Sequence, residues 1–157
     1  MESLIVAIEL DFAGENAVRP LPQLAEGDYP CEIVSWETVE PQKSETKGKG
    51  KNLRVKFKLD NPIQTDEKTG EDAEFNMTFN DQIFYLFDNP FALVPLLSAV
   101  KKTDPDNPKE LGRVDIEEPS EFIGEVVMVR LKRKPANDGS NKTYLNPVSD
   151  AYYAVPF

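Results

Sequence analysis

Hydrophobic and polar residues alternate along several stretches of this chain, and a period of two is the pattern of half-buried β-strands. The alternation is strictest in residues 51–60, where one predicted face is apolar and the other is basic. Residues 72–80 repeat the alternation, which predicts a third strand paired with the second as a hairpin. Its apolar residues Phe75, Met77 and Phe79 are predicted to face the core.

Other segments also predict strands. Residues 29–39 are rich in β-branched and aromatic side chains, which favour strands. Residues 123–134 alternate again and carry a second basic face. Residues 142–149 predict a last short strand, in which Pro147 indicates an edge position. The apolar residues at 4–10 predict one short strand near the N-terminus.

The period changes in residues 81–102, which predict a short helix. Pro90 suits the first turn of a helix. Apolar residues then recur with helical spacing, and Lys101-Lys102 close the last turn. The apolar positions that define this spacing are Phe91, Val94, Leu97 and Val100.

The resulting order is strand, strand, strand, helix, strand, strand. A five-stranded barrel with a helix between its third and fourth strands is the oligonucleotide-binding (OB) fold, so the predicted class is all-β with one helix. We expect a single OB domain over residues 1–150, on which residues 1–27 pack as an extended segment. Residues 151–157 are predicted to form a C-terminal tail.

The composition narrows the function. The chain has no histidine and one cysteine, Cys31, so His-dependent nucleophiles and the common zinc sites are excluded. We expect no metal, no cofactor and no enzymatic activity. The acids Glu117, Glu118 and Glu121 leave a carboxylate-dependent nuclease as an unfavoured alternative. Without an apolar run long enough for a membrane span, we expect a cytoplasmic protein that has no membrane partner.

The distribution of charge points to a polyanion. The net charge is −10, yet residues 42–58 hold seven basic residues and one acid. Residues 130–142 hold five basic residues and one acid. In an OB fold the ligand crosses strands two and three between the loops that join strands one to two and four to five. The two basic segments include these loops and the strands beside them.

These segments supply the candidate DNA-binding residues. Phosphate contacts are expected from the strand residues Arg54, Lys56, Lys58, Arg130, Lys132 and Lys134. Contacts from loops are expected from Lys43, Lys47, Lys49, Lys51, Arg133 and Lys142. Trp36 is predicted near the exposed face, where it would stack on bases, and Tyr144 is a second candidate. The alternative for Trp36 is a core or rim position, because a bulge would switch the parity of its strand.

The chain also resembles a known family, the small single-stranded DNA-binding proteins of bacteriophages. The similar segments are GDYPCEIVSWE at 27–37, GKNLRVKFKL at 50–59, FIGEVVMVRLKRK at 122–134 and KTYLN at 142–146. The resemblance covers most of residues 20–150. It implies an OB fold that coats single strands during phage DNA replication or recombination in the host cytoplasm.

A second, shorter resemblance concerns the C-terminus. The chain ends in Pro156-Phe157, and bacterial single-stranded DNA-binding proteins end in an acidic tail closing on the same two residues. This resemblance implies replication or recombination proteins as partners of the tail. The chain departs from the pattern upstream, where only Asp150 is acidic and Tyr152-Tyr153 intervene. These tyrosines would instead pack on the barrel and hold the tail down.

Two main functional hypotheses follow. We favour a non-enzymatic protein that binds single-stranded DNA independently of sequence. The alternative is an OB-like module that binds protein in a virion or replisome scaffold, in which case the basic residues contact an acidic partner. Titration with an oligonucleotide discriminates between the two.

Overall fold

The fold is known from a computed structural model. It describes residues 21–41, 48–136, 139, 143–148 and 151–156. The strand predicted at 4–10 lies outside the described residues, as does most of the segment 1–27. Among the helices of the described part, none has the length and apolar character needed to cross a membrane.

The described residues are mainly β-structure with one short α-helix. The strands are β1 (Gly27–Val39), β2 (Gly50–Leu59), β3 (Ile63–Thr65), β4 (Asp72–Glu74), β5 (Thr78–Leu86), β6 (Val126–Pro135), β7 (Thr143–Pro147) and β8 (Tyr153–Ala154). The helix α1 (Val94–Lys101) follows a 3-10 turn at Pro90–Leu93. The predicted all-β class with one helix is therefore confirmed.

Most of the described strands belong to one sheet. Its hydrogen-bonded order is β5-β2-β1-β6-β7, and β8 adds to β6. Every strand pairing in it is antiparallel. The outermost strands β5 and β7 approach within 8 Å between Cα atoms, although they are not hydrogen-bonded neighbours. The small hairpin β3-β4 stands apart from this sheet.

The third long strand differs from its prediction. The segment 72–80 is divided between β4 and the start of β5, and Met77 between them is 39% exposed. The prediction that Met77 faces the core is therefore wrong. The strand β5 instead continues to Leu86, because the alternation of buried and exposed residues persists through Ile83 and Tyr85.

The helix forms as predicted but begins later. Leu96, Leu97 and Val100 are buried, whereas Phe91 lies in the preceding 3-10 turn and is 63% exposed. The helix ends at Lys101, and the C-cap residue Lys102 has a left-handed φ of 57°.

The core lies between the inner face of the sheet and α1. The four alternating apolar residues of β2 are all buried: Leu53, Val55, Phe57 and Leu59. This strand begins at Gly50, where a Cβ atom would lie only 2.1 Å from the carbonyl oxygen of Tyr85. A side chain at this position would therefore separate β2 from β5.

The residues before the C-terminus are part of the fold. Tyr152 is buried, its ring stacks on Phe57, and its hydroxyl donates a hydrogen bond to Asp81. Tyr153 pairs with Met128 through β8 and donates a hydrogen bond to Asp28 at 2.7 Å. The expectation that these tyrosines pack on the folded domain is met by the buried Tyr152, whereas Tyr153 is 39% exposed and is held through β8 and its hydrogen bond.

Candidate nucleic-acid interface

The basic residues of β2 form one exposed row. Arg54, Lys56 and Lys58 are exposed because the residues between them are buried in the core. Alternate residues on a strand are about 6.6–6.8 Å apart, so the row spans about 13 Å. The predicted basic face of this strand is confirmed.

The strands on either side of β2 place mostly neutral polar residues beside this row. Lys56 lies between Ser35 of β1 and Asn80 of β5. Lys58 lies between Glu32 and Thr78. Within the described part of the chain, neither ammonium group has an acidic partner within 4 Å. Their positive charge is available to a ligand.

Arg54 differs slightly from the two lysines. Its guanidinium Nη1 lies 3.7 Å from Oε1 of Glu37, and both side chains are about half exposed. An ion pair of this length in solvent contributes little, with typical values below about 1 kcal/mol. Arg54 can therefore exchange this partner for a phosphate at small cost.

A shallow groove of ≈390 Å³ lies beside Arg54 and Lys56. The neutral residues Ser35, Asn80 and Gln82 and the acids Glu37 and Asp81 also line it. We call the exposed surface formed by the basic row, its neutral polar neighbours on β1 and β5, and Phe84 the basic face. Its members are Ser35, Arg54, Lys56, Lys58, Thr78, Asn80, Gln82 and Phe84.

Phe84 is an aromatic residue that the sequence analysis missed. It lies on β5 opposite Asn52 and is 37% exposed. Its neighbour Gln82 on the same side pairs with Arg54, so Phe84 is a diagonal neighbour of this arginine. The alternation of Ile83, Phe84 and Tyr85 is the sequence signal for a strand here, but the apolar residues of 81–102 also fit the helical period that predicts α1.

The predicted exposure of Trp36 is wrong. Its side chain is only 5% exposed and stacks on Phe122, with ring centroids 4.0 Å apart. Its Nε1 donates a hydrogen bond of 2.8 Å to the carbonyl oxygen of Ile116. Trp36 is buried because the register of β1 shifts between Ile33 and Ser35. A bulge of this kind changes which face of the strand the following residues occupy.

Lys49 and Lys51 lie at the start of β2, where Lys51 shares the strand face of Leu53 and not that of Arg54. Lys49 is exposed, and its carbonyl accepts a hydrogen bond from the backbone of Phe87. Lys51 forms an ion pair with Glu117 at 2.5 Å. This hydrogen bond raises the pKa of Lys51 and lowers the pKa of Glu117. The charge of Lys51 is thus partly neutralised.

Two arginines of β6 are also bound to acids. Arg130 Nε lies 2.9 Å from Asp28 Oδ1. Hydrogen bonds from Arg130 and then from Tyr153 hold the pKa of Asp28 below its usual range. Arg133 donates to the carbonyl of Leu24 and to Glu67, so it ties the segment before β1 to β6. Arg133 is therefore part of the folded sheet, not of a loop as predicted.

The other candidates of β6 and β7 are exposed. Lys132 and Lys134 lie opposite Asn146 and Tyr144. Tyr144 is 44% exposed and lines a groove of ≈690 Å³ together with Thr78. Because Thr78 is also the partner of Lys58, the two basic segments meet at the start of β5.

The remaining candidates cannot be placed in the same way. Lys43, Lys47, Lys142 and Phe157 lie outside the described residues, and Pro156 is exposed.

The described residues contain no group of three or more His, Cys, Asp or Glu side chains that could hold a metal ion. Burial raises the pKa of the Cys31 thiol to about 12, so this cysteine is an inert core residue.

Comparison with known proteins adds no family. No protein-family model, curated protein or solved structure matches the chain. A function for this protein has to be argued from the geometry and charge described above.

Proposed function

We propose that the protein binds single-stranded DNA independently of sequence, and that the basic face is its binding surface. The observation that carries this proposal is the state of Lys56 and Lys58. Both are exposed, and within the described residues both lack an ion-pair partner. They lie side by side in a chain whose net charge is −10. Unpaired cations in an acidic protein confine a polyanion to one surface.

The side chains beside these lysines suit the binding of single-stranded DNA. Sequence-tolerant binding of single strands combines a basic groove with aromatic side chains on which bases stack. Arg54, Lys56 and Lys58 would bind phosphates, and Phe84 would supply the stacking surface beside them. The amides of Asn80 and Gln82 add hydrogen-bonding groups to the same groove.

The bound DNA would continue beyond β2 on the side of Lys58. There Lys132, Lys134 and Tyr144 would extend the basic face across the start of β5. We leave Trp36 and Arg133 out of the proposed site because their side chains serve the fold. Arg130 is also left out because its guanidinium is bound to Asp28.

We further propose that the fold is an OB barrel. The sheet order β5-β2-β1-β6-β7 and the position of α1 between β5 and β6 support this assignment. The approach of β5 to β7 supports it as well, because a barrel is a sheet whose outer strands meet. In such a barrel the basic face lies where OB ligands bind. With the resemblance to phage proteins, we propose a role in phage DNA replication or recombination.

The test is a titration of the wild-type protein into fluorescein-labelled oligo-dT of about 20 nucleotides, since OB folds cover about 4–16 nucleotides. Anisotropy is expected to rise at low salt, and the affinity is expected to fall as salt increases. A hairpin duplex of the same charge is expected to bind more weakly. Flat anisotropy at about 50 mM salt would reject the proposal and favour the module that binds protein. Cleavage of the oligonucleotide in magnesium would instead favour a nuclease.

A further inference from the structure

A second groove adjoins the basic face at the start of β5. It has a volume of ≈690 Å³, and its lining includes Met77, Thr78 and Tyr144. Thr78 is exposed and is also the partner of Lys58 on β2, so the groove begins beside one end of the basic row. We call it the Met77 groove. Its volume lies within the range of about 300–1,000 Å³ that is typical of small-molecule pockets.

Met77 is an exposed apolar residue whose neighbours are held in the core. The residues two positions before and after it, Phe75 and Phe79, are both buried. The backbone NH of Phe75 also donates a hydrogen bond of 2.7 Å to the carbonyl of Pro62. Met77 itself is 39% exposed and lines the groove. A large apolar side chain that departs from the inward pattern of its neighbours is expected at functional positions more than at structural ones.

The Met77 groove offers an unpaired base both an apolar floor and an aromatic wall. The floor includes Leu24 and Phe79, which are buried in the core. The side chain of Tyr144 is 44% exposed in the same groove. Bases stack on aromatic rings, and thioethers pack favourably against aromatic systems. Met77 and Tyr144 therefore supply two surfaces that suit a base.

The charged side chains that line the Met77 groove are both basic. Arg133 is paired with Glu67. Lys68 is exposed, and within the described part of the chain no carboxylate lies within 4 Å of its ammonium group. The nearby Asp66 does not line the groove, and its buried carboxylate accepts a hydrogen bond from the backbone of Lys68. The charge of Lys68 is therefore available to a phosphate.

We propose that the Met77 groove holds one base of the bound single strand, turned away from the basic row. The base packs against Met77 and Tyr144, and Lys68 contacts a neighbouring phosphate. A base in a duplex enters only after it loses its pairing and stacking, which costs a few kcal/mol, so the groove favours single strands over duplex. This inference rests on the proposed function, because the base belongs to the strand that the basic face binds.

The experiment separates contacts to bases from contacts to phosphates. Anisotropy is measured with labelled oligo-dT of about 20 nucleotides and with an abasic strand that has the same number of phosphates. The double variant Met77→Ala/Tyr144→Ala is expected to weaken oligo-dT binding at least about tenfold. Its affinity for the abasic strand and for a hairpin duplex should equal that of the wild type, because no charge has been removed.

Two further variants serve as controls. Tyr144→Phe keeps the aromatic ring, so it should bind oligo-dT nearly as well as the wild type. Ile123→Ala truncates an apolar side chain of similar exposure, 46% against 39% for Met77, outside the groove. It should leave all affinities unchanged. Urea unfolding checks that each variant is as stable as the wild type.

The outcomes distinguish failure of this inference from failure of the proposed function. If the wild type does not bind oligo-dT, both are rejected. If it binds and the double variant binds equally well, or loses affinity for oligo-dT and the abasic strand alike, only the base site is rejected. An increased affinity of the double variant would also overturn the base site, because the groove would then hold a competing segment of the protein.

Discussion

Replacing Lys56 and Lys58 by glutamine removes two positive charges from the centre of the basic face. Both side chains point to solvent and make no ion pair within the described residues, so the fold should be retained. If each lysine contacts one phosphate, the slope of log K against log salt changes by about 0.7 per contact on a single strand. The double variant is therefore expected to have a slope smaller by about 1.4.

This change of slope has a direct consequence for affinity. A fourfold rise in salt, from about 50 to about 200 mM, should weaken the wild type about sevenfold more than the double variant. The assay is anisotropy of labelled oligo-dT at four or five salt concentrations. Urea unfolding of both proteins checks that the variant is equally stable.

A matched control removes the same charge elsewhere. Lys109→Gln/Arg113→Gln also lowers the net charge by two, at exposed positions in the loop after α1. It changes the long-range electrostatic field equally. It should leave the slope of log K against log salt unchanged, because these side chains lie outside the basic face. If the two double variants behave alike, the lysines of β2 contribute only net charge, and the proposed contacts are refuted.

Three further predictions concern single side chains. Phe84→Ala should weaken oligo-dT binding by about 1–3 kcal/mol, the usual contribution of one stacked base, measured by anisotropy. Tyr152→Phe should lower the free energy of unfolding in urea by about 1.5–3 kcal/mol, because it removes a buried hydrogen bond to the carboxylate of Asp81. Arg130→Gln should lower the stability at pH 7 by at most about 1 kcal/mol, because its ion pair with Asp28 is partly exposed. It should leave the salt dependence of DNA binding unchanged.

Two of these variants also predict a pH dependence. Burial raises the pKa of Tyr152. The stability that the neutral Tyr152 contributes to the folded state is therefore complete below about pH 10, and it is lost as the pH rises and the unfolded state ionises. Tyr152→Phe should therefore lose less stability than the wild type between pH 9 and 11. The pKa of Asp28 is lowered, so its contribution is present above about pH 4 and is lost as the pH falls further. The cost of Arg130→Gln should shrink in that range.

Each prediction has a result that contradicts it. For Phe84→Ala the contradicting result is an oligo-dT affinity equal to that of Phe91→Ala, the control that removes an exposed aromatic residue outside the basic face. For Tyr152→Phe it is an alkaline loss of stability as steep as in the wild type. For Arg130→Gln it is a smaller salt slope at unchanged stability, which would return this arginine to the DNA-binding site.

The parts of the fold that depend on local pattern could be predicted from the sequence. The alternation in β2 is uninterrupted, so both its buried and its basic residues were placed correctly. Most of the long strands and the helix also follow from local patterns, whereas the short strands β3 and β8 were not predicted. For β5 the pattern was ambiguous, because residues 81–86 precede a helix and their apolar residues fit either period. Phe84 was missed for this reason.

The errors at the candidate site have a tertiary origin. Trp36 is buried because of a shift of register within β1, which the sequence does not mark with a glycine or proline. Arg130 and Arg133 are bound to Asp28 and Glu67, acids more than 60 residues away in the chain. Such pairs depend on which strands become neighbours and in which register. Local charge counting cannot distinguish a paired arginine from a lysine such as Lys56, which has no ion-pair partner among the described residues.

The most direct test of the account maps the contact with a single strand onto the structure. Unlabelled oligo-dT is titrated into uniformly ¹⁵N-labelled protein, and backbone amide shifts are followed by NMR. The account predicts the largest changes in residues 54–58 of β2 and 78–84 of β5, and little change in the loop 104–116. Changes confined to another surface, or no changes at all at low salt, would contradict the assignment of the basic face as a DNA-binding site.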